Sequence, residues 1–203
     1  HEGLAVAKKN GKMGMINKAG KTTIPFTYDS LENFHEGLAV ARNNGKYGLI
    51  DKTGKTIIPF EFDYVDDFNK GLAVAKKNGK YGFINKAGEL VIDAIFDDAF
   101  RMNEGHAAVE VDEKWGLINR SGEFVINPAY DDLGNLNEGF CYFSEEDLYG
   151  YFDIKGIVRL KQQYSDADDF EKGKAIVSKN GYYGLIDVFG TTTIPFKYSR
   201  LKH

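Results

Sequence analysis

The sequence is short of cysteine, of proline and of long apolar runs. Cys141 is the one cysteine in 203 residues, so no internal disulfide can form and no cysteine-based zinc site exists. Only 4 prolines interrupt the chain. No apolar run approaches the roughly 18 residues that a membrane span needs, so none is expected. A basic excess is lacking too. The net charge is −4 and the pI ≈ 5.6, which argues against a general nucleic-acid binder. The opening HEGLAVAKKN has neither an initiator Met nor the layout of a signal peptide, and falls straight into a repeat. The chain therefore reads as a fragment or a processed form, and cytoplasmic and envelope-associated placements both stay open.

What is abundant is glycine, and it is periodic. Three columns recur every 34 residues: Gly3, Gly37, Gly71, Gly105, Gly139, Gly173; Gly14 through Gly184; and Gly20 through Gly190. With aromatics at 14 %, this is a turn-dense all-β chain, too apolar for disorder. The period divides it into one array of six units, 1–34, 35–68, 69–102, 103–136, 137–170 and 171–203.

Each unit predicts three short strands and a tight connector. A strand such as GLAVAKKN at 3–10 runs into Asn10-Gly11, the pair that supplies φ > 0 at both centres of a type I′ hairpin. The returning strand, KYGLIDK at 46–52, ends in an Asx turn from Asp51 to Gly54. A third strand, KTIIPF at 55–60, reaches the proline slot of Pro25, Pro59 and Pro195, which places that slot at a strand end or sheet edge. The slot of Asp29, Asp63, Asp97, Asp131, Ser165 and Ser199 suits an N-cap, and predicts a capped helical or 3₁₀ turn pinned by Leu31, Phe34 and their equivalents. The expected core is Ile16, Ile50, Ile84, Ile118, Phe152 and Ile186. Ala5, Ala39, Ala73, Ala107, Cys141 and Ala175 are expected where layers approach closely.

The run Phe34-x-Glu36-Gly37-Leu38-Ala39-Val40, then Gly45-Lys46-Tyr47-Gly48-x-Ile50-Asp51, then Gly54 and Ile58-Pro59, resembles the WG repeat, also called the KWG repeat. All six units carry it. The naming tryptophan stands only at Trp115, and Met13, Tyr47, Tyr81, Tyr149 and Tyr183 replace it elsewhere. The resemblance implies a bacterial β-rich module of variable copy number, often within larger envelope or accessory proteins, with no catalytic motif to carry over.

One unit cannot bury both faces of a three-stranded sheet, so neighbours must stack. An open β-solenoid or hairpin superhelix is the favoured arrangement, because three strands in 34 residues is lean for a propeller blade. A six-bladed β-propeller-like ring is the alternative, and contact between the neighbourhoods of Glu2 and Lys202 would separate the two. Neither end departs from the repeat, so the parent protein is expected to continue, or the repeat ends to pair between molecules.

No enzyme motif is present: no phosphate loop, no Gly-x-Ser-x-Gly, no His-Glu-x-x-His. His35 and His106 read as surface residues, and Cys141 as a small packed hydrophobe. The acidic pairs Asp66-Asp67, Asp97-Asp98, Asp131-Asp132 and Asp168-Asp169 read as caps and a solvated edge, with a calcium site as the lesser reading. Basic residues Lys8-Lys9, Arg42, Lys76-Lys77 and Lys179 gather at the hairpin turn, so in-register stacking predicts an acidic and a basic stripe. No catalytic residue, metal ligand or cofactor is expected. The candidate binding residues are the aromatic column Tyr47, Tyr81, Trp115, Tyr149 and Tyr183, with Phe140, Tyr142 and Phe143 of the divergent fifth unit. The expected function is a non-enzymatic scaffold for a protein partner. The alternative is a carbohydrate or cell-wall module that uses the aromatic column.

Overall fold

The structure, a computed structural model, describes residues 3–202. Glu2, one side of the contact that would tell ring from open array, lies outside the described residues, as do the two terminal histidines. The chain forms two compact units, His1–Phe96 and Asp97–His203.

The first unit holds three antiparallel sheets. The first comprises β1 (Leu4–Lys9), β2 (Lys12–Asn17) and β3 (Thr22–Tyr28). The second runs β4 (Ser30–Leu31), β5 (Leu38–Asn43), β6 (Lys46–Asp51) and β7 (Thr56–Phe62) in that order. The third repeats it with β8 (Tyr64–Val65), β9 (Leu72–Lys77), β10 (Lys80–Asn85) and β11 (Leu90–Phe96). The second unit has three more four-stranded sheets. These are β12 (Asp98–Ala99) to β15 (Phe124–Tyr130) through β13 (His106–Val111) and β14 (Lys114–Asn119); β16 (Asp132–Leu133), β17 (Phe140–Glu145), β18 (Leu148–Asp153) and β19 (Val158–Tyr164); and β20 (Asp166–Ala167), β21 (Lys174–Lys179), β22 (Tyr182–Asp187) and β23 (Thr192–Tyr198). Each four-stranded sheet takes its short first strand from the connector that closes the preceding 34-residue unit.

That short strand corrects the expected capped helical turn, and no helix is present among the described residues. Ser30 pairs with Arg42 and Leu31 with Ala41, so the connector's polar backbone is satisfied by a neighbouring strand. The aspartate slot does not cap a helix. Asp29 takes Lys12 on one oxygen and accepts the Gly45 N–H at 3.1 Å on the other. Asp63 does the same with Lys46 and the Gly79 N–H, and Asp131 with Lys114 and the Glu146 N–H. Connector and hairpin turn thus lie together. There the aspartate slot pairs with Lys12, Lys46 and Lys114 of the returning strands.

The hairpin turns have the expected geometry. Asn44 and Gly45 stand at φ 50 and 81, and Asn78 and Gly79 at φ 53 and 81. Asp112-Glu113 and Glu146-Asp147 hold the same left-handed pair without glycine. A second tight turn that the pattern did not reveal sits at Glu36-Gly37, where His35 and Leu38 exchange both backbone hydrogen bonds.

The Gly14–Gly184 column has a packing cause. Tyr47 pairs with Phe62 but Leu49 with Ile58, so Gly48 alone faces the three residues of a bulge in β7. A Cβ on Gly48 would stand 2.6 Å from the Ile58 carbonyl oxygen and 2.9 Å from that of Pro59. The prolines belong to this bulged edge strand, consistent with their missing donor.

Sheets pack face to face within each unit. Met15, Ile24 and Tyr28 of the first sheet meet Ala39, Ala41 and Ile50 of the second. Val40, Leu49, Ile58 and Phe62, on the opposite face, meet Ala73, Ala75 and Ile84 of the third. The second unit repeats the scheme, Leu117 against Cys141 and Phe152, and Tyr151 against Ala175 and Ile186. Alternate residues of one strand therefore serve two neighbours. Each large side chain so buried contributes roughly 1.5–3 kcal/mol, which makes these faces, rather than the exposed charges, the main source of stability. The small column and the isoleucine column are buried as expected from the second sheet onward. Ala5 is exposed and Ile16 half-buried, so the outer face of the first sheet departs from that expectation.

Candidate interaction surface

The aromatic column is neither a free platform nor a sealed core. Tyr47, Tyr81, Trp115, Tyr149 and Tyr183 are all half-buried, and each already has partners. The Arg42 guanidinium lies 5.6 Å from the Tyr47 ring centre, and the Lys76 ammonium 4.5 Å from that of Tyr81. These cations are the cross-strand neighbours of the rings, which is why they meet. Trp115 packs on Phe100 at 4.8 Å between ring centres. The hydroxyls of Tyr149 and Tyr183 donate to Asp132 at 3.3 Å and Asp166 at 2.8 Å. The Asp166 contact holds the Tyr183 hydroxyl above its ordinary pKa.

The fifth-unit aromatics separate. Phe143 is core, stacked on Phe152 and against Tyr130, so it is withdrawn from solvent. Tyr142 is half-buried. A Cβ on Gly134 would stand 2.3 Å from its ring, so glycine at 134 makes room for tyrosine at 142. Burial, then the nearby Asp132 and Asp169 carboxylates, push the Tyr142 phenol well above its usual range. Phe140 packs on Phe170 at 5.1 Å and also lines an open groove.

Cys141 is buried, and its thiol donates to the Gly134 carbonyl at 3.0 Å. Burial pushes the thiol's pKa well up, which disfavours the thiolate a nucleophile needs. Near it Asp169 accepts the Asn137 amide at 2.9 Å through Oδ2, while its buried Oδ1 has no partner. Burial raises this carboxyl above the ordinary aspartate value, and hydrogen bonds from Asn135 and Asn137 act in the other direction. Asn137 accepts in turn from Asn103 at 2.8 Å, forming a polar chain across two successive units. Glu104 accepts the N–H groups of Glu138 and Gly139, and Glu138 those of Lys172 and Gly173, so these carboxylates fasten one tight turn to the next. His35 is exposed, and His106 bonds the Glu104 carbonyl. Among the described residues no three His, Cys, Asp or Glu side chains converge as metal ligands do.

Alignment by strand isolates a surface that the repeat count had hidden. The Asx turns carry Lys18, Lys52, Lys86 and Arg120 in one slot, but Ile154 and Val188 in the last two. The following slot is small or polar except at Phe189, which is 84 % exposed. Ile157 replaces a charged residue and is 50 % exposed. An open groove of about 390 Å³ lies here, lined by Phe140, Asp153, Arg159, Leu160, Val188 and Phe189. Arg159 donates Nε and one Nη to Asp153 Oδ2, at 2.8 and 2.5 Å. The sequence signal was present in those slot substitutions. It was masked because exposed apolar residues in a turn have no period of their own.

The model of the WG containing repeat matches the chain in five tandem stretches, residues 13–47, 47–81, 81–115, 115–149 and 149–183. The first stretch begins at Met13, and each of the other four runs from one member of the aromatic column to the next. No curated protein matches the sequence. Among solved structures, the chain is similar to Kluyveromyces lactis Hsv2p at 10 % identity and a TM-score of 0.54, over 93 % of this chain and 72 % of that one. It is also similar to a eukaryotic initiation factor at 10 % identity and a TM-score of 0.63, over 100 % of this chain and 64 % of that one. Identities this low speak for fold alone. The spacing of the glycine and aromatic columns, the bulge over each glycine and the five matched stretches together place this chain in the WG containing repeat family.

Proposed function

We propose that the chain is a non-enzymatic scaffold whose stacked sheets present a surface to a protein partner. The observation that carries this reading is the use of the polar side chains. The connector aspartates hold hairpin turns, Glu104 and Glu138 hold tight turns, and Cys141 is buried as a thiol. What faces solvent instead is a cluster of apolar side chains at the fifth and sixth Asx turns, the type of surface that marks partner contact. The half-buried, partnered rings of the aromatic column weigh against flat sugar stacking.

The finer architecture belongs to the same reading. Four antiparallel strands in sequence order are the make-up of a propeller blade, which favours the blade-like alternative over three-stranded solenoid turns. Small-angle scattering, whose profile differs between a ring and an elongated array, tests that point.

The functional test is photo-crosslinking of the tagged chain, run beside a glycan array. A saturable protein adduct supports the scaffold. Glycan retention that is lost when Tyr81 and Trp115 become alanine, without a protein adduct, overturns it.

A further inference from the structure

Resting on the scaffold reading, we propose that the β19 edge and the apolar turns beside it receive an extended segment of a partner protein in which carboxylate and aliphatic side chains alternate. β19 is the last strand of its sheet, so its outer edge can accept a further strand. The last strands of the other sheets differ from it. β3, β7, β15 and β23 contain proline, and β11 carries the exposed carboxylate of Asp93. Among these last strands β19, of sequence VRLKQQY, alone has neither proline nor acid and alone carries two cations, Arg159 and Lys161. Both are exposed. The Asp153 contacts occupy two of the five guanidinium donors of Arg159 and orient the group, leaving others for a partner carboxylate.

The apolar half of the recognition lies at the N-terminal end of the same strand. Ile157 and Val158 are exposed, and the groove beside Leu160 is lined by the exposed Phe189. The other five Asx turns keep Phe189's slot small, polar or basic, so this groove is particular to the junction of the last two sheets. An added strand places alternate side chains on opposite faces, which suits a ligand that offers carboxylates to Arg159 and Lys161 and an aliphatic group to the groove. Positive charge on the edge together with apolar turns selects that chemistry over a basic or purely apolar segment.

The experiment is fluorescence anisotropy with a labelled seven-residue peptide alternating Glu and Val. Controls are its Lys–Val counterpart and a Glu–Val peptide N-methylated at alternate backbone nitrogens. Lys161→Glu and Phe189→Ser change exposed side chains, and their thermal melts verify folding. The expected result is binding of the Glu–Val peptide alone, weakened about ten-fold by either substitution and by high salt. Absence of binding overturns the proposal, as does an affinity that neither substitution changes or equal binding of the N-methylated peptide. A concentration-dependent dimer abolished by Phe189→Ser would assign the surface to a second copy and overturn it as well. If the peptide fails while a protein adduct still forms on both variants, the contact lies elsewhere and the scaffold reading stands. If no adduct forms on wild type, it is the scaffold reading that fails.

Discussion

Asp63 fastens consecutive sheets by holding the Gly79 N–H at 3.0 Å with one oxygen while its other oxygen takes the Lys46 ammonium. The lysine, then the backbone donor, lower the carboxyl's pKa below the usual aspartate range. A depressed folded value means stability that is present above the unfolded pKa, about 3.9, and lost as pH falls through the folded value. Acid titration of the Asp63 carboxyl by NMR should give a midpoint below that reference. The Lys46→Met variant should move it upward and should lose less stability on acidification. An unshifted midpoint in wild type contradicts the latch.

The glycine opposite each bulge is a steric requirement. Gly48→Ala places a methyl group 2.6 Å from a backbone carbonyl, where no side chain can swing aside. We expect a loss of about 1–3 kcal/mol or more by chemical denaturation. Gly45→Ala is a different case, because its strain comes from φ 81 rather than from contact. A neutral Gly48→Ala would remove the packing account of that column.

Two hairpins lack glycine where the geometry favours it. Glu113 stands at φ 61 and Asp147 at φ 61. Replacing either by glycine relieves a left-handed conformation costing roughly 1–2 kcal/mol, offset in part by glycine's greater unfolded-state entropy. A net gain of up to about 1 kcal/mol is expected for Glu113→Gly. A fall in melting temperature would contradict it.

Gly134 and Tyr142 should be energetically coupled. Gly134→Ala forces a methyl group onto the Tyr142 ring, whereas Tyr142→Val restores the residue found at positions 40 and 74 and opens that space. In a double-mutant cycle the alanine should cost clearly less beside valine than beside tyrosine. Strict additivity would mean that the fifth unit relaxes some other way.

Much of the fold was legible in the sequence because turns are local. Asn44-Gly45 and the Asp51–Gly54 Asx turn follow from residue chemistry over a few positions, and the 34-residue period multiplies that signal. The fourth strand was not legible. Ser30-Leu31 is too short for alternation, and an aspartate before it suits an N-cap as well as a latch across 16 residues to Gly45. The bulge was hidden for a related reason, since a glycine crowded by distant backbone resembles a glycine needed for its φ. The site was the least legible part. Tyr47 stands in a column of rings and Phe143 in a slot that is otherwise Ala or Val, and only packing reveals that the first meets Arg42 half in solvent while the second is core.

The central claim is that the chain recognises protein through the last two repeats, and a peptide-display selection on the intact chain, run beside a glycan array, tests it most directly. The account predicts enrichment of acidic, aliphatic segments whose capture falls with Lys161→Glu and Phe189→Ser, and no glycan retained. Glycan retention that disappears with Trp115→Ala, with no peptide enriched, would contradict it.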